Sequence, residues 1–121
     1  MKPVDKRDVK YFEEDDGSRP VATWLQSLLP YCKVEYSKII KQIDRAGLGN
    51  FGEHRFLDGG LGELKIDYGP GYRVYFGIDG KEFILLLHGG TKKGQSQDIA
   101  TAKDRWKRYL YKKQRERKNG K

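Results

Sequence analysis

The chain is poor in the residues that staple or metallate small proteins. It has one cysteine, Cys32, and two histidines, His54 and His88. A single thiol excludes an intrachain disulfide, and so few thiols and imidazoles exclude a cysteine-based or multi-histidine metal site. An intracellular, reducing compartment is the expected home. Long hydrophobic runs are also missing. The opening stretch MKPVDKRDVKYF lacks the apolar centre of a signal peptide, and no segment approaches the ~20 apolar residues of a membrane span. A cytoplasmic protein with no membrane partner is therefore expected. No internal repeat occurs. Neither GPG at 69–71 nor HGGTKKGQS at 88–96 is a phosphate loop, because Lys92 and Lys93 are followed by Gly94. Ser18, Ser27, Ser37 and Ser96 fall in helix or cap contexts, without a nucleophile elbow.

What is present is charge. The 121 residues suit one domain with a core of its own. Charged residues make up 35%, against roughly 25% in an average domain. The formal net charge is +8 and the pI about 9.5. Such a balance favours polyanions. The last ten residues, KKQRERKNGK, hold six cations and one anion. This predicts a domain over 1–111 and a basic, disordered tail over 112–121.

Residues 8–13, DVKYFE, read as a short strand. EDDGS reads as a turn, with Ser18 as N-cap and Pro20 in a first helical turn. Val21, Trp24, Leu25, Leu28 and Leu29 mark one face of a helix that Pro30 interrupts. A second helix is predicted from Tyr31 to Ala46, capped by Gly47. Residues 48–60 read as a glycine-rich loop that packs down through Phe51, Phe56 and Leu57. Three strands follow at 61–68, 72–78 and 82–88, with Asp79-Gly80 as a hairpin signal. FILLL at 83–87 has no alternation and predicts burial on both faces. A polar loop leads to a last helix, from Ser96 or Asp98 to Tyr111, with Ile99, Ala102, Trp106, Tyr109 and Leu110 inward. Trp24 and Trp106 are expected in the core. The predicted fold is α+β: a small antiparallel sheet, the N-terminal strand plus a three-stranded meander, against a helical hairpin and a C-terminal helix.

LKIDYGPGYRVYF, residues 64–76, splits by parity. Leu64, Ile66, Tyr72, Val74 and Phe76 take one face, and Glu63, Lys65, Asp67, Arg73 and Tyr75 the other. A three-residue loop over Gly69–Gly71 pairs Ile66 with Val74, Asp67 with Arg73, and Lys65 with Tyr75. Such a cross-strand ion pair on the wet side of a sheet is also an ordinary structural contact. The expected fold buries only one side of the sheet, so that its charged side forms a shallow groove. The following loop delivers Lys92 and Lys93 to a strand end, where free backbone N–H groups favour anions.

On these residues, and on GELKIDYGPGYRVYFGIDGKEFILLLHGGTKKGQSQDIATAKDRW over 62–106, the chain resembles the RelE/ParE superfamily of bacterial toxins. The nearer likeness is to the HigB-like branch, the addiction-module killer proteins. The resemblance implies a RelE-like fold and a type II toxin–antitoxin module. It further implies a metal-independent endoribonuclease, an mRNA interferase that cuts mRNA on the ribosome and so inhibits translation without a cofactor. The implied partner is a cognate helix-turn-helix antitoxin. By position it makes Arg73, Lys65, Lys92 and Lys93 catalytic candidates. Glu63 stands where the best-known nucleases have a further lysine, and Ile99 and Ala100 where they have a tyrosine.

Cleavage by a neighbouring 2′-hydroxyl needs a base, cations for the crowded phosphate, and an acid for the leaving oxygen. Arg73 suits the phosphate, being permanently charged and bidentate. Glu63, or Lys65 in its neutral form, is the candidate base. His88, of the one side-chain type that titrates near neutrality, is a candidate acid or base. Tyr75 is a candidate base-stacking residue, and Lys112, Lys113 and Arg115 are candidate RNA-binding residues in the tail. Two other readings stay open: a ParE-like gyrase poison without nuclease activity, and a degenerate member that only binds antitoxin and operator DNA.

Overall fold

The N-terminal strand lies in the sheet because its alternate side chains, Val9 and Tyr11, meet the helices while Asp8 and Lys10 face out. The computed structural model describes residues 6–119. The first residues, on which the expectation of no leader rests, and the tail cation Lys121 lie outside them. Strand β1 (Asp8–Tyr11) leads to helices α1 (Pro20–Leu28) and α2 (Lys33–Gly47). Then come β2 (His54–Phe56), β3 (Leu61–Ile66), β4 (Tyr72–Asp79), β5 (Phe83–Thr91) and α3 (Gln95–Asn119). The five strands form one sheet in the order β1-β5-β4-β3-β2. The α+β class, helical hairpin and C-terminal helix are as the sequence predicts. The sheet is mixed rather than antiparallel, since β1 runs parallel to β5 with Val9 opposite Ile84. The helical hairpin between β1 and the meander carries the chain across the sheet face, which permits a parallel return. The predicted loop after α2 contains β2, whose three residues pair with β3. Arg19 rather than Ser18 is the N-cap of α1, with Pro20 at its first position.

Both faces are covered. Val21 and Leu25 of α1 and Ile39 and Ile43 of α2 pack on Leu64, Ile66, Val74, Phe76, Ile84 and Leu86. On the other side Ala102 and Trp106 of α3 pack on Leu61, Tyr75, Leu85 and Leu87. The expectation of a sheet buried on one side is thus corrected. The alternation of β3 and β4 sets which side chains share a face but says nothing of what lies above them. FILLL sits between β1 and β4 and divides its residues between the two cores, as expected. Leu110, expected inward, is exposed.

The β3–β4 register also differs from the expected one. Ile66 pairs with Tyr72, Lys65 with Arg73, and Glu63 with Tyr75, so the connection is Asp67–Gly71. The slip is two residues, and a two-residue slip keeps every side chain on its face. Hydrogen bonds from Tyr68 N to Ile66 O and from Gly71 N to Tyr68 O close the wider turn.

Strand β5 runs three residues further than expected, through HGGT. Its two glycines permit close approach from both sides. A Cβ on Gly89 would lie 2.3 Å from the Trp24 ring of α1, and one on Gly90 2.2 Å from the Asp98 carboxylate of α3. The expected disordered tail is corrected too, since α3 continues to Asn119. Cations suit a helix C-terminus, and Lys113 Nζ holds Asp79 Oδ1 at 2.5 Å, tethering this part of α3 to the end of β4.

Asp79 also accepts a hydrogen bond from Tyr109. Burial opposes its charge, but the bonds from Lys113 and Tyr109 prevail and hold its pKa below the ordinary carboxylate value. Below pH ~3.9 the unfolded chain binds a proton here that the native state still refuses, so stability falls as pH falls through Asp79's native value. Asp79→Asn is expected to flatten this acid limb in urea unfolding measured at a series of pH values. Identical limbs in both proteins would refute that role.

Candidate nucleic-acid interface

Directly opposed residues on four strands build a polar row on the α3 side of the sheet. Arg55 of β2 faces Glu63 of β3, Glu63 faces Tyr75 of β4, and Tyr75 faces His88 of β5. One step nearer the sheet end, Lys65 faces Arg73 and Arg73 faces Gly90. The structure thus brings Glu63, Lys65, Arg73 and Tyr75 together on one face, as the parity predicts, and adds His88 of β5 to them.

It also buries several of them. Glu63 is 0% exposed. Its carboxylate accepts from Arg55 Nε at 3.1 Å and from Gln95 Nε2 of α3 at 2.6 Å, and lies 4.0 Å from Arg73 Nε. These contacts make it a fixed counter-ion rather than a solvent-facing base. Tyr75 is 0% exposed, with its ring stacked on His88 at 6.3 Å between centroids. It offers no face to a nucleobase, which corrects its expected role. Its hydroxyl makes no hydrogen bond. Burial, then the nearby Glu63 carboxylate, push the phenol pKa well above its usual range, so it stays protonated.

His88 has both ring nitrogens engaged. Nε2 is 2.8 Å from Asp98 Oδ1, and Nδ1 is 2.9 Å from Arg105 Nη1. A guanidinium can only donate, so Nδ1 accepts and Nε2 carries the proton. Arg105 also donates to the Leu87 carbonyl and to Glu14, which Arg108 binds as well. The imidazole therefore locks α3 to β5 and to the segment after β1, and neither nitrogen is left for a substrate.

Arg73 is 4% exposed and anchored on one side. Its Nη1 donates to Asp67 Oδ1 at 3.2 Å and to the Tyr72 carbonyl at 2.9 Å, so the expected Asp67–Arg73 pair survives the change of register. Its Nε is buried without a hydrogen-bond partner. Lys65, half-buried, faces it on β3, and Lys92 and Lys93 are exposed in the short 3-10 turn before α3. A hydrogen bond from Lys92 N to Gly71 O ties that turn to the β3–β4 connection. A Cβ on Gly71 would lie 3.3 Å from Lys92 Cβ and 3.9 Å from Arg73 Nη1, so Lys92 and Arg73 flank this glycine. Among the described residues, none of these three lysines is in an ion pair.

The tail candidates lie elsewhere. Lys113 is bound to Asp79, at the opposite end of β4 from Arg73. Lys112 and Arg115 are exposed on the same distant part of α3. Arg55, Gln95, Asp98 and Arg105 escaped the sequence reading. The Gly89-Gly90 pair was the available signal, since adjacent strand glycines mark close approach by other elements. Among the described residues, no three His, Cys, Asp or Glu side chains converge as a metal site would need, and no helix is long and apolar enough to cross a membrane.

The sheet order, the helix pair on one face and the cation cluster beside a long C-terminal helix define a small α+β protein with a mixed five-stranded sheet. The chain is 43% identical over 67 residues to an uncharacterized protein of Haemophilus influenzae, a match covering 55% of this chain and 68% of the relative. The chain belongs to that protein's family. No family model matches it.

Proposed function

We propose that the protein is the toxin of a type II toxin–antitoxin module, of the RelE/ParE kind. In this reading it is a cytoplasmic, metal-independent endoribonuclease that cuts mRNA on the ribosome and is held in check by a helix-turn-helix antitoxin. One observation carries the reading: the anchored guanidinium of Arg73, with Lys65 opposite it on β3 and Lys92 beside it, neither lysine in an ion pair among the described residues. Such a cluster suits a phosphodiester whose charge grows as a 2′-hydroxyl attacks it. With Glu63 and His88 committed to structural contacts, Lys65 in its neutral form is the remaining base, and Lys92 or Lys93 is the acid. Arg73→Ala is expected to slow message cleavage at least ~10²-fold, the usual loss when a stabilising donor is removed. Primer extension on a translated message reads it. Since Arg73 is buried, Lys92→Gln combined with Lys93→Gln, on exposed side chains, gives a second test that spares the fold. Wild-type cleavage rates in both, from folded samples, would end the nuclease reading.

The commitment of Glu63, Tyr75 and His88 to internal contacts favours a second reading, a ParE-like poison of DNA gyrase that cuts nothing itself. Accumulated gyrase–DNA cleavage complexes, with intact messages, would mark it.

A further inference from the structure

Helix α3 carries nine cations and three anions, which places six of the chain's eight net positive charges on one element. Its inner face is fixed by Ala102, Trp106 and Tyr109 in the second core and by Lys113 on Asp79. On the outer face Lys103, Lys107, Tyr111, Arg115 and Lys118 recur at intervals of four, four, four and three residues, and all five are exposed. This spacing makes one stripe, about 22 Å long at ~1.5 Å per residue. Among the described residues, none of its four cations is in an ion pair. Tyr111, 63% exposed, interrupts the charges, and the Arg115 guanidinium lies 5.9 Å from its ring centroid.

Like charges three or four residues apart weaken a helix, and Asp104, the exposed acid beside Lys103, is taken by Arg108 at 3.0 Å. The dipole accounts for cations in the last turn but not for Lys103 and Lys107 in the middle. A phosphate backbone laid along the helix would offset the repulsion, and Tyr111 would offer a stacking face to one base. A membrane surface fits poorly, since the apolar side of α3 is committed to the core.

We propose that the outer face of α3 is a track for single-stranded RNA, separate from the Arg73 cluster, with Lys103, Lys107, Arg115 and Lys118 on phosphates and Tyr111 on a base. The inference rests on the reading of this protein as RNA-directed. The stripe starts about ten residues after Lys93 and leads away from it, so it would hold flanking RNA rather than the scissile linkage.

The test uses a fluorescein-labelled 2′-O-methyl oligonucleotide, which cannot be cut through its 2′ position. Fluorescence anisotropy is followed across a salt titration. Changing Lys103, Lys107, Arg115 and Lys118 to Gln together is expected to reduce the slope of log K against log salt by about 3, at ~0.7 per cation on a single strand. Tyr111→Ala is expected to weaken binding at every salt concentration with little change in slope. A control of equal charge, with Lys33, Lys41, Arg45 and Lys81 changed to Gln, is expected to leave the slope nearly intact. Arg73→Ala should keep most of the slope too. Equal losses in stripe and control variants, or an unchanged slope in the stripe variant, would overturn the track. So would stripe-dependent binding to phosphatidylserine vesicles with no stripe-dependent binding to RNA. If the wild-type protein cuts no message yet shows the stripe-dependent slope, the track stands and the nuclease reading falls.

Discussion

Trp106→Ala is expected to cost about 3–5 kcal/mol, the usual range for removing a buried Trp or Phe side chain. The indole is nearly buried and seats α3 on the sheet. It lies against Gly77 so closely that a Cβ there would fall 2.3 Å from Cε3, and its Nε1 donates to the Gly59 carbonyl at 2.8 Å. Tyr109 stacks beside it at 5.4 Å. Removing the ring empties the slot between two glycines whose backbones cannot move in to refill it. The lost contacts are those that hold the middle of α3, so the helix should loosen beyond the point of substitution. Urea unfolding measures the cost, and amide hydrogen exchange along α3 measures the loosening. A change below about 1 kcal/mol, with exchange unaltered, would show that the polar ties at His88 and Asp79 hold the helix without it.

Glu63→Ala is expected to be of similar size, about 3–5 kcal/mol, for an electrostatic reason. Taking one partner from a buried ion pair leaves the other charge in a poorly solvated site. Here the stranded group is Arg73, which keeps only the solvent-exposed Asp67 as counter-charge. Arg55, on the edge strand and largely exposed, can turn to water and should contribute little to the loss. Glu63→Gln keeps the shape and an acceptor for Gln95 Nε2, so it should cost less than the alanine variant. Glu63→Lys should cost more than either, because it sets a third cation against Arg55 and Arg73. Equal midpoints for wild type and Glu63→Ala would mean that Glu63 is not what balances Arg73. The ranking matters for the site as well. A lysine at this position would need a different neighbourhood from the one this sheet provides.

Much of the fold was legible because local chemistry dictates it. The spacing of Val21, Trp24 and Leu25 announced α1, the run FILLL announced a doubly buried strand, and the parity of 63–76 put the right side chains on each face. The register of that hairpin was misjudged because slips of two residues are equivalent under a period-two rule, and only the turn at Asp67–Gly71 selects between them. The parallel pairing of β1 with β5 joins residues more than seventy positions apart, on which no local pattern bears. The basic tail looked disordered by composition, whereas the helix it continues was already nucleated and is tethered by Lys113.

The sequence by itself determined the class of the fold, the faces of the strands, and the identity of the cations at Arg73, Lys65, Lys92 and Lys93. Those follow from periodicity and charge, which are properties of neighbouring residues. Tertiary structure alone decided which polar groups face solvent. Glu63, Tyr75 and His88 share a row that α3 covers, so a carboxylate, a phenol and an imidazole that read as reagents became a counter-ion, a buried ring and a clasp. The reason is that availability for chemistry depends on what packs above a side chain. That is set by contacts between distant segments, in this case between β3 and α3, where Glu63 and Gln95 stand 32 residues apart.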